Sequence, residues 1–372
     1  MQKKLIALAI AAAFSAPAFA DVTMYGVVDA AVAHASNDGQ KSGTIAVSGG
    51  LSQSRIGAKA SEDLNNGMKA VVVLEYGLDT QTNSTIGTAG VGNTDVGGLV
   101  GNNVTARQQM LALAGGFGTF ATGYLQTTGY DFAVKFDPTA DSLVSPLQSM
   151  TGKNGFLIGS NAIASRAQRA LAYISPNMSG VTVAVNYSTD VGLIAPGYGN
   201  LGVASTAADT KIGATLVSAN YDNGPLSVGG VYAKTSVPTP TGSTTDYALG
   251  ASYDLTVVKL LGTYQQTKSD LTGVLGNSNK AMSFSAVAPV GPGAVVFTYA
   301  KSTIDTVSNV NGSGYTVGWL QGLSKTTTAY ATVTKVTNGS AGSQYSVINN
   351  ALAGGTAGGS STLLAVGLNK KF

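Results

Sequence analysis

Four arginines stand in the 372 residues: Arg55, Arg107, Arg166 and Arg169. Three of them fall a few residues into segments where apolar and polar residues alternate, a period that marks β-strands. By that alternation Arg55 shares a face with Gln53 and Lys59, opposite Ile56 and Ala58. Arg107 shares one with Thr105 and Gln109, opposite Val104, Ala106 and Met110. Arg166 goes with Gln168, opposite Leu171 and Tyr173. The three strands alternate with others, so the guanidiniums are expected about 10 Å apart on one polar wall. Lys59 and Lys69 extend the basic side of that wall, while Asp29 and Glu75 supply acid. A long connection over 127–164 carries Asp131, Asp137 and Asp141, with Phe132, Val134 and Phe136 as apolar anchors. Folded against the wall, its carboxylates would oppose the guanidiniums and set up a transverse field. Such a field sorts and orients charged or dipolar solutes, because low-dielectric walls focus it. It makes and breaks no bonds.

Bond-making chemistry finds little support. The one histidine, His34, sits in "AVAHASND" with Ser36 and Asp38. Three such residues within five positions do not easily give a base held by a separate orienting group, and His34 reads as a solvated loop residue. Cysteine is absent, so disulfides, thiol catalysis and Cys-based metal sites go together. Glycine clusters such as "GGTAGGSS" lack the following Lys-Ser/Thr and helix of a phosphate loop. The reading is therefore no enzyme, no cofactor and no metal.

The elements that must hold the arginines are strands throughout. Charged residues make up only 10%, against roughly 25% in a soluble domain, and mean hydropathy is just +0.18. Beyond residue 20 no apolar run approaches the ~18 residues of a membrane-spanning helix. Low charge, moderate hydropathy and repeated alternation are the marks of a transmembrane β-barrel. In "GMKAVVVLEYGLD", Met68, Ala70, Val72, Leu74, Tyr76 and Leu78 take one face, and Lys69, Glu75 and Asp79 the other. Sixteen such segments are read, from Val22–Ala33 to Ser361–Phe372. Short turns such as "AGGFG" and "YDNGP" alternate with long Gly/Ser/Thr/Asn connections at 34–50, 80–103, 127–164, 190–210, 236–246, 269–279, 302–313 and 338–360. This is the pattern of an antiparallel up-and-down barrel with periplasmic turns and extracellular loops. The last strand must pair with the first, since hydrocarbon leaves an open edge unsatisfied. Arg169, on the opposite parity from Arg166, would cost roughly 2–4 kcal/mol facing lipid at mid-depth. It is expected near a loop boundary or beside a bulge, outside the basic wall.

The first twenty residues, "MQKKLIALAIAAAFSAPAFA", read as a signal peptide: Lys3 and Lys4, an apolar stretch from Leu5 to Phe14, and Ala18-Phe19-Ala20 for cleavage. The mature domain then runs over 21–372. Its loss of two lysines leaves 19 basic against 18 acidic residues, a balance that suggests no nucleic acid.

In order along the chain, "DVTMYGVVDAAV", "SRIGAKASEDLNNGMKAVVVLEYGL", "ARQQMLALAGGFGTFATG", "RAQRALAYISPNMSGVTVAVNYS", "ALGASYDL" and "VGLNKKF" resemble the Gram-negative general porins of the Neisseria/Burkholderia type. The resemblance covers Asp21 to Phe372. It implies a 16-stranded all-β barrel in the outer membrane, a homotrimer, and a passive channel for ions and small hydrophilic solutes. It also implies that the third extracellular loop folds into the pore, and it supports Arg55, Arg107 and Arg166 as the basic cluster. Two departures weaken any transfer of ion selectivity. Tyr124 in "TGYLQ" stands where family members usually carry arginine, and Asn369 interrupts the basic run near the end.

Selectivity is expected to lean weakly toward anions. Leu364, Val366, Leu368 and Phe372 alternate as a lipid-facing stripe on the last strand, with Lys370 snorkelling to the headgroups. By the resemblance they are the tag read by the barrel-assembly machinery. The implied partners are further copies of the chain, outer-membrane lipid and lipopolysaccharide, that machinery and periplasmic chaperones. Two other readings are an adhesin or host-contact barrel with a plugged lumen, and a substrate-specific channel.

Overall fold

Alternation is what the backbone does. The computed structural model describes residues 21–39, 42–81, 106–152, 155–160, 162, 164–191, 212–238, 241–270, 278–305, 308–347 and 356–372. The expected signal peptide at 1–20, and most of the connections at 80–103 and 190–210, lie outside the described residues. The strands are β1 (Asp21–Asn37), β2 (Gly43–Ser48), β3 (Arg55–Asp63), β4 (Lys69–Gly77), β5 (Ala106–Gly115) and β6 (Gly118–Gln126). Then follow β7 (Arg166–Ile174), β8 (Val181–Ser188), β9 (Gly213–Asn223), β10 (Leu226–Pro238), β11 (Thr241–Asp254) and β12 (Lys259–Ser269). The last are β13 (Ser278–Val290), β14 (Gly293–Ile304), β15 (Gly312–Ser324), β16 (Thr327–Asn338) and β17 (Ser360–Lys371).

All pairings between them are antiparallel, and β17 closes on β1 from Val27↔Lys371 to Asn37↔Ser361. The two short strands β2 and β3 lie end to end along β1: β2 pairs with Ala30–Ala35 and β3 with Asp21–Val27. They are two halves of one interrupted stave, so the barrel is closed with sixteen staves. At the seam, Gly26 and Phe372 exchange backbone hydrogen bonds of 3.0 and 3.1 Å. A Cβ on Gly26 would overlap the Phe372 ring, so glycine lets the terminal aromatic cross the first strand.

Outward positions are apolar and exposed, among them Leu111, Leu113, Phe120, Leu171, Leu249, Phe284, Val317, Leu364, Val366 and Leu368. Inward positions are small or hydroxylic and pair across strands. Thr263 and Ser283 meet at 2.6 Å, Ser285 and Thr298 at 3.0 Å, and Thr316 and Thr334 at 2.8 Å. Each pair is directly opposite in register, the placement at which cross-strand side chains stabilise a sheet.

Two connections are shorter than the sequence suggests. The span 34–50 is mostly strand, because β1 runs on to Asn37 and "GTIAVS" forms β2. The span 236–246 is a hairpin, its strands reaching Pro238 and resuming at Thr241. Thr, Ser and Val suit a pleated surface even inside Gly/Ser-rich text, and composition alone hides them.

The connection between β6 and β7 turns into the lumen. It carries helix α1 (Thr128–Phe136) and helix α2 (Pro146–Thr151), the latter capped by Ser145, whose Oγ accepts from Gln148 N at 3.2 Å. Its base is clamped where Thr127 donates through Oγ1 to Ala164 O at 2.6 Å. Phe132, Phe136, Leu157 and Ile158 pack on Ala167, Ala170, Ala214, Leu216, Val231, Ala233 and Ala248 of the inner wall. Gly250 makes room for this: a Cβ there would lie 2.6 Å from Phe136 Cδ2. Val144, Leu147, Met150 and Phe156 pack on the opposite wall with Ala281, Ala300, Tyr330 and Val336. Val134, expected as an anchor, is exposed, because on a helix it falls on the face away from Phe132 and Phe136.

Candidate functional site

The three staves that carry arginine all lose regularity near it. Stave two is interrupted over 49–54, just before Arg55. Between β4 and β5, Glu75 pairs with Gln108 and Tyr76 with Ala106, leaving Arg107 as the extra residue of a bulge. Between β6 and β7, Gly123 pairs with Ala170 and Leu125 with Ala167, so Gln168 and Arg169 oppose Tyr124 alone. Arg169 takes a left-handed φ of 50° there, which a non-glycine residue adopts only under local constraint. Bulges re-aim side chains at the cost of ladder hydrogen bonds, and here two of them and the break in stave two bring the arginines around one pair of carboxylates and Tyr130.

They correct the expected faces. Gln109 lies on the outer side, where its Nε2 donates to Tyr76 Oη at 3.0 Å, while Met110 turns inward to the core beside α1. Arg107 therefore reaches the lumen through its bulge and not by sharing a face with Gln109. Likewise Ala167 and Ala170, three apart, are both buried under the loop. Gln168 and Arg169 turn away together to Asp190, at 3.2 and 3.1 Å.

Arg107 is the hub. Its Nε donates to Glu75 Oε1 at 2.8 Å, and its Nη2 to Asp141 Oδ2 and Tyr130 Oη, each at 3.1 Å. Its Nη1 donates to Gln53 Oε1, completing a shell that leaves the side chain 4% exposed. Arg55 sits on the same two carboxylates at longer range, 3.8 Å from Glu75 and 3.6 Å from Asp141, and is 24% exposed. Arg166 stacks over the Tyr130 ring, 4.6 Å from its centroid, within the fields of Arg107 and Asp141. Burial and the Asp141 charge push the Tyr130 phenol up, so it stays neutral as a platform between two guanidiniums. Tyr25 donates to Glu75 at 3.0 Å, fixing the carboxylate from the first stave.

The other expected residues divide. Lys59 is exposed on the stave of Arg55, four residues toward the periplasmic end, about 13 Å along the strand. Asp131 is exposed on α1 and accepts from Gln126. Lys69 does not join the wall: it sits beside the turn at 64–68, paired with Asp63 at 2.9 Å. Asp137 does not face the arginines either. It is buried inside the loop, accepting from Thr139 N at 2.8 Å, Thr139 Oγ1 at 2.6 Å and Ser145 Oγ at 2.9 Å, and burial pushes its carboxyl up. Asp29 is sealed from the lumen as a latch. It accepts from Tyr330 Oη at 2.6 Å, Asn369 Nδ2 at 2.8 Å, Ser52 N at 3.0 Å and Leu51 N at 3.2 Å. That latch ties the break in stave two to β16 and β17, and it is where Asn369 has its use. His34 lies within β1 with Nδ1 2.7 Å from Thr44 Oγ1. Leu364, Val366, Leu368 and Phe372 are all exposed on the outer surface, and Lys370 bends to Thr326 Oγ1 at 2.8 Å.

Tyr130 and Tyr25 were not legible as site residues, and Gln53 was legible only as a face-mate of Arg55. Tyr130 gave a weaker signal, as the first aromatic of "YDFAVKF".

A closed barrel of sixteen staves is too wide for side chains to fill. With an apolar exterior, a loop drawn inside and a charged constriction, it defines a water-filled outer-membrane channel. The chain belongs to the Gram-negative porin family, whose model matches residues 7–341. Outer membrane porin protein 32 of Delftia acidovorans is 31% identical, with all of both chains covered. The anion-selective porin from Comamonas acidovorans is 26% identical, with a TM-score of 0.74 over 95% of this chain and all of that one. OmpT of Vibrio cholerae in a trimer form shares the fold at a TM-score of 0.61 over 95% of this chain and 99% of that one, with 13% identity. This protein is thus a general porin of the outer membrane, passing ions and small hydrophilic solutes by diffusion, and its relatives are channels rather than enzymes.

Proposed function

We propose that the porin is weakly anion-selective, and that the selectivity comes from Arg55, Arg166 and Lys59 while Arg107 acts as structural mortar. The carrying observation is the unequal sharing of two carboxylates. Glu75 and Asp141 are drawn in close by Arg107 and stand only at 3.6–3.8 Å from Arg55. Counting Asp131 as well, three acids face three arginines and Lys59, an excess of one positive charge. In a wet lumen so small an excess biases permeation without excluding cations. The anion selectivity named for the Comamonas relative supports the same sign.

The same reading makes the active form a homotrimer, the form named for the OmpT structure. It makes residues 1–20 a cleaved export signal, and Leu364, Val366, Leu368 and Phe372 the tag for barrel assembly. Planar-bilayer recording across a KCl gradient tests the selectivity: large ohmic steps with a reversal potential on the chloride side are expected. A potassium-side reversal would overturn it.

A further inference from the structure

Beneath the returning limb of the inward loop lies a carboxylate that the arginine cluster does not use. Asp246 stands on β11 with no exposed surface, and its Oδ2 accepts from Leu157 N at 2.6 Å and Ile158 N at 3.4 Å. Its Oδ1 has no hydrogen-bond partner among the described residues, and neither have Thr235 Oγ1, Gln265 Oε1 and Thr267 Oγ1, all buried. Register gathers them. Thr267 on β12 is directly opposite Asp246, and Gln265, two positions along, is opposite Ala248. Thr235 on β10 is opposite Thr244, two positions from Asp246 on the other side. Side chains so placed stand about 5 Å apart straight across and about 7–8 Å on the diagonal. All four point inward, since the alternate residues Lys234, Tyr247, Tyr264 and Lys268 are exposed on the outer face.

Charge and oxygen chemistry together make this cluster a ligand set. Among the described residues no basic side chain pairs with Asp246, and the lysines of the flanking strands, Lys234 and Lys268, lie on the opposite face of the sheet. Leu157, Ile158, Ala233 and Ala248 seal the carboxylate in apolar packing. A charge so enclosed is costly unless something of opposite sign neutralises it. The oxygens make the same demand. None of the four bonds to another, although the two hydroxyls are free to rotate toward their neighbours. A proton on Oδ1 would serve a single acceptor, whereas an ion seated among them serves all four. Carboxylate, amide carbonyl and hydroxyl are the oxygen donors that hard cations take. One carboxylate among neutral oxygens balances one positive charge; a divalent ion would leave an unpaired charge buried.

We propose that Asp246, Thr235, Gln265 and Thr267 bind a dehydrated alkali cation, sodium or potassium, which pins residues 157–158 of the inward loop to the β10–β12 wall. The ion is structural and separate from those that pass through the pore. The test is the unfolding midpoint of the folded full-length barrel in non-ionic detergent, read by intrinsic fluorescence. Sodium, potassium and choline chloride are compared at equal concentration, so that chloride and ionic strength stay constant and only the compact cation changes. Wild type should have a higher midpoint in sodium or potassium than in choline, rising with the logarithm of the alkali concentration once the site fills. D246N keeps the shape but removes the charge, and should abolish the difference. Q265M removes one oxygen and should raise the half-saturating concentration about ten-fold. D305N, at a surface carboxylate, should respond to the cations as wild type does. Thallium(I), an electron-dense stand-in for potassium, should give an anomalous diffraction peak beside Asp246 in wild-type crystals and none in D246N. Equal wild-type midpoints in the three salts would overturn the proposal without any variant being needed. So would a response to calcium alone, a midpoint that follows pH but not the cation, or an undiminished cation response in D246N.

Discussion

Arg107 and Arg55 are chemically the same residue in different jobs. The first is enclosed by Glu75, Asp141, Tyr130 and Gln53; the second keeps a quarter of its side chain in water. Removing a fully paired buried charge strands its partners at a cost of about 3–5 kcal/mol, whereas an exposed pair contributes 1 kcal/mol or less. R107Q should therefore lower the unfolding midpoint, read from heat-modified gel mobility, while R55Q should leave it within error of wild type. Equal destabilisation by the two would refute the division of roles. At this scale the sequence revealed which arginines matter but not how. Residue type marked the cluster, yet Asp137, Asp29 and Lys69 read as equivalents of Asp141, Glu75 and Lys59. Nothing local separates a carboxylate that caps a loop from one that meets a guanidinium 34 positions away, as Asp141 meets Arg107.

Strands and the inward loop set the level of these charges. Gly250 admits Phe136, so Gly250→Ala overpacks the seat at about 1–3 kcal/mol and should make the open channel noisier, with sub-conductance steps absent from wild type. An unchanged current record would show that α1 is not held there. The loop also carries a pH dependence. Burial raises the Asp137 carboxyl above its unfolded value, so the folded loop holds the proton more tightly. Its contribution to stability is then fully present below the unfolded value and is lost as pH rises through the raised one. The stability difference between wild type and D137N should therefore shift in favour of wild type on acidification; a difference constant with pH would contradict it. Period-two counting found the strands but not their breaks. A bulge leaves no mark on composition, and the clue was energetic. Arginine at a lipid-facing parity is too costly to stand, a reason that anticipated the bulge beside Arg169 and applies equally to Arg107.

Across the whole molecule the sequence was most informative, because closure is enforced by the solvent. A sixteen-stave barrel in hydrocarbon must join its ends, and Gly26, Phe372 and the Asp29 latch do so. The long lumen left by closure turns a net excess of one positive charge into a property of the entire pore. The most direct measurement is the reversal potential of R55Q/R166Q beside wild type, in planar bilayers under the same KCl gradient. The account predicts that single-channel steps remain ohmic and that the reversal potential moves toward the potassium side. Channels of wild-type reversal potential after both arginines are removed would contradict it.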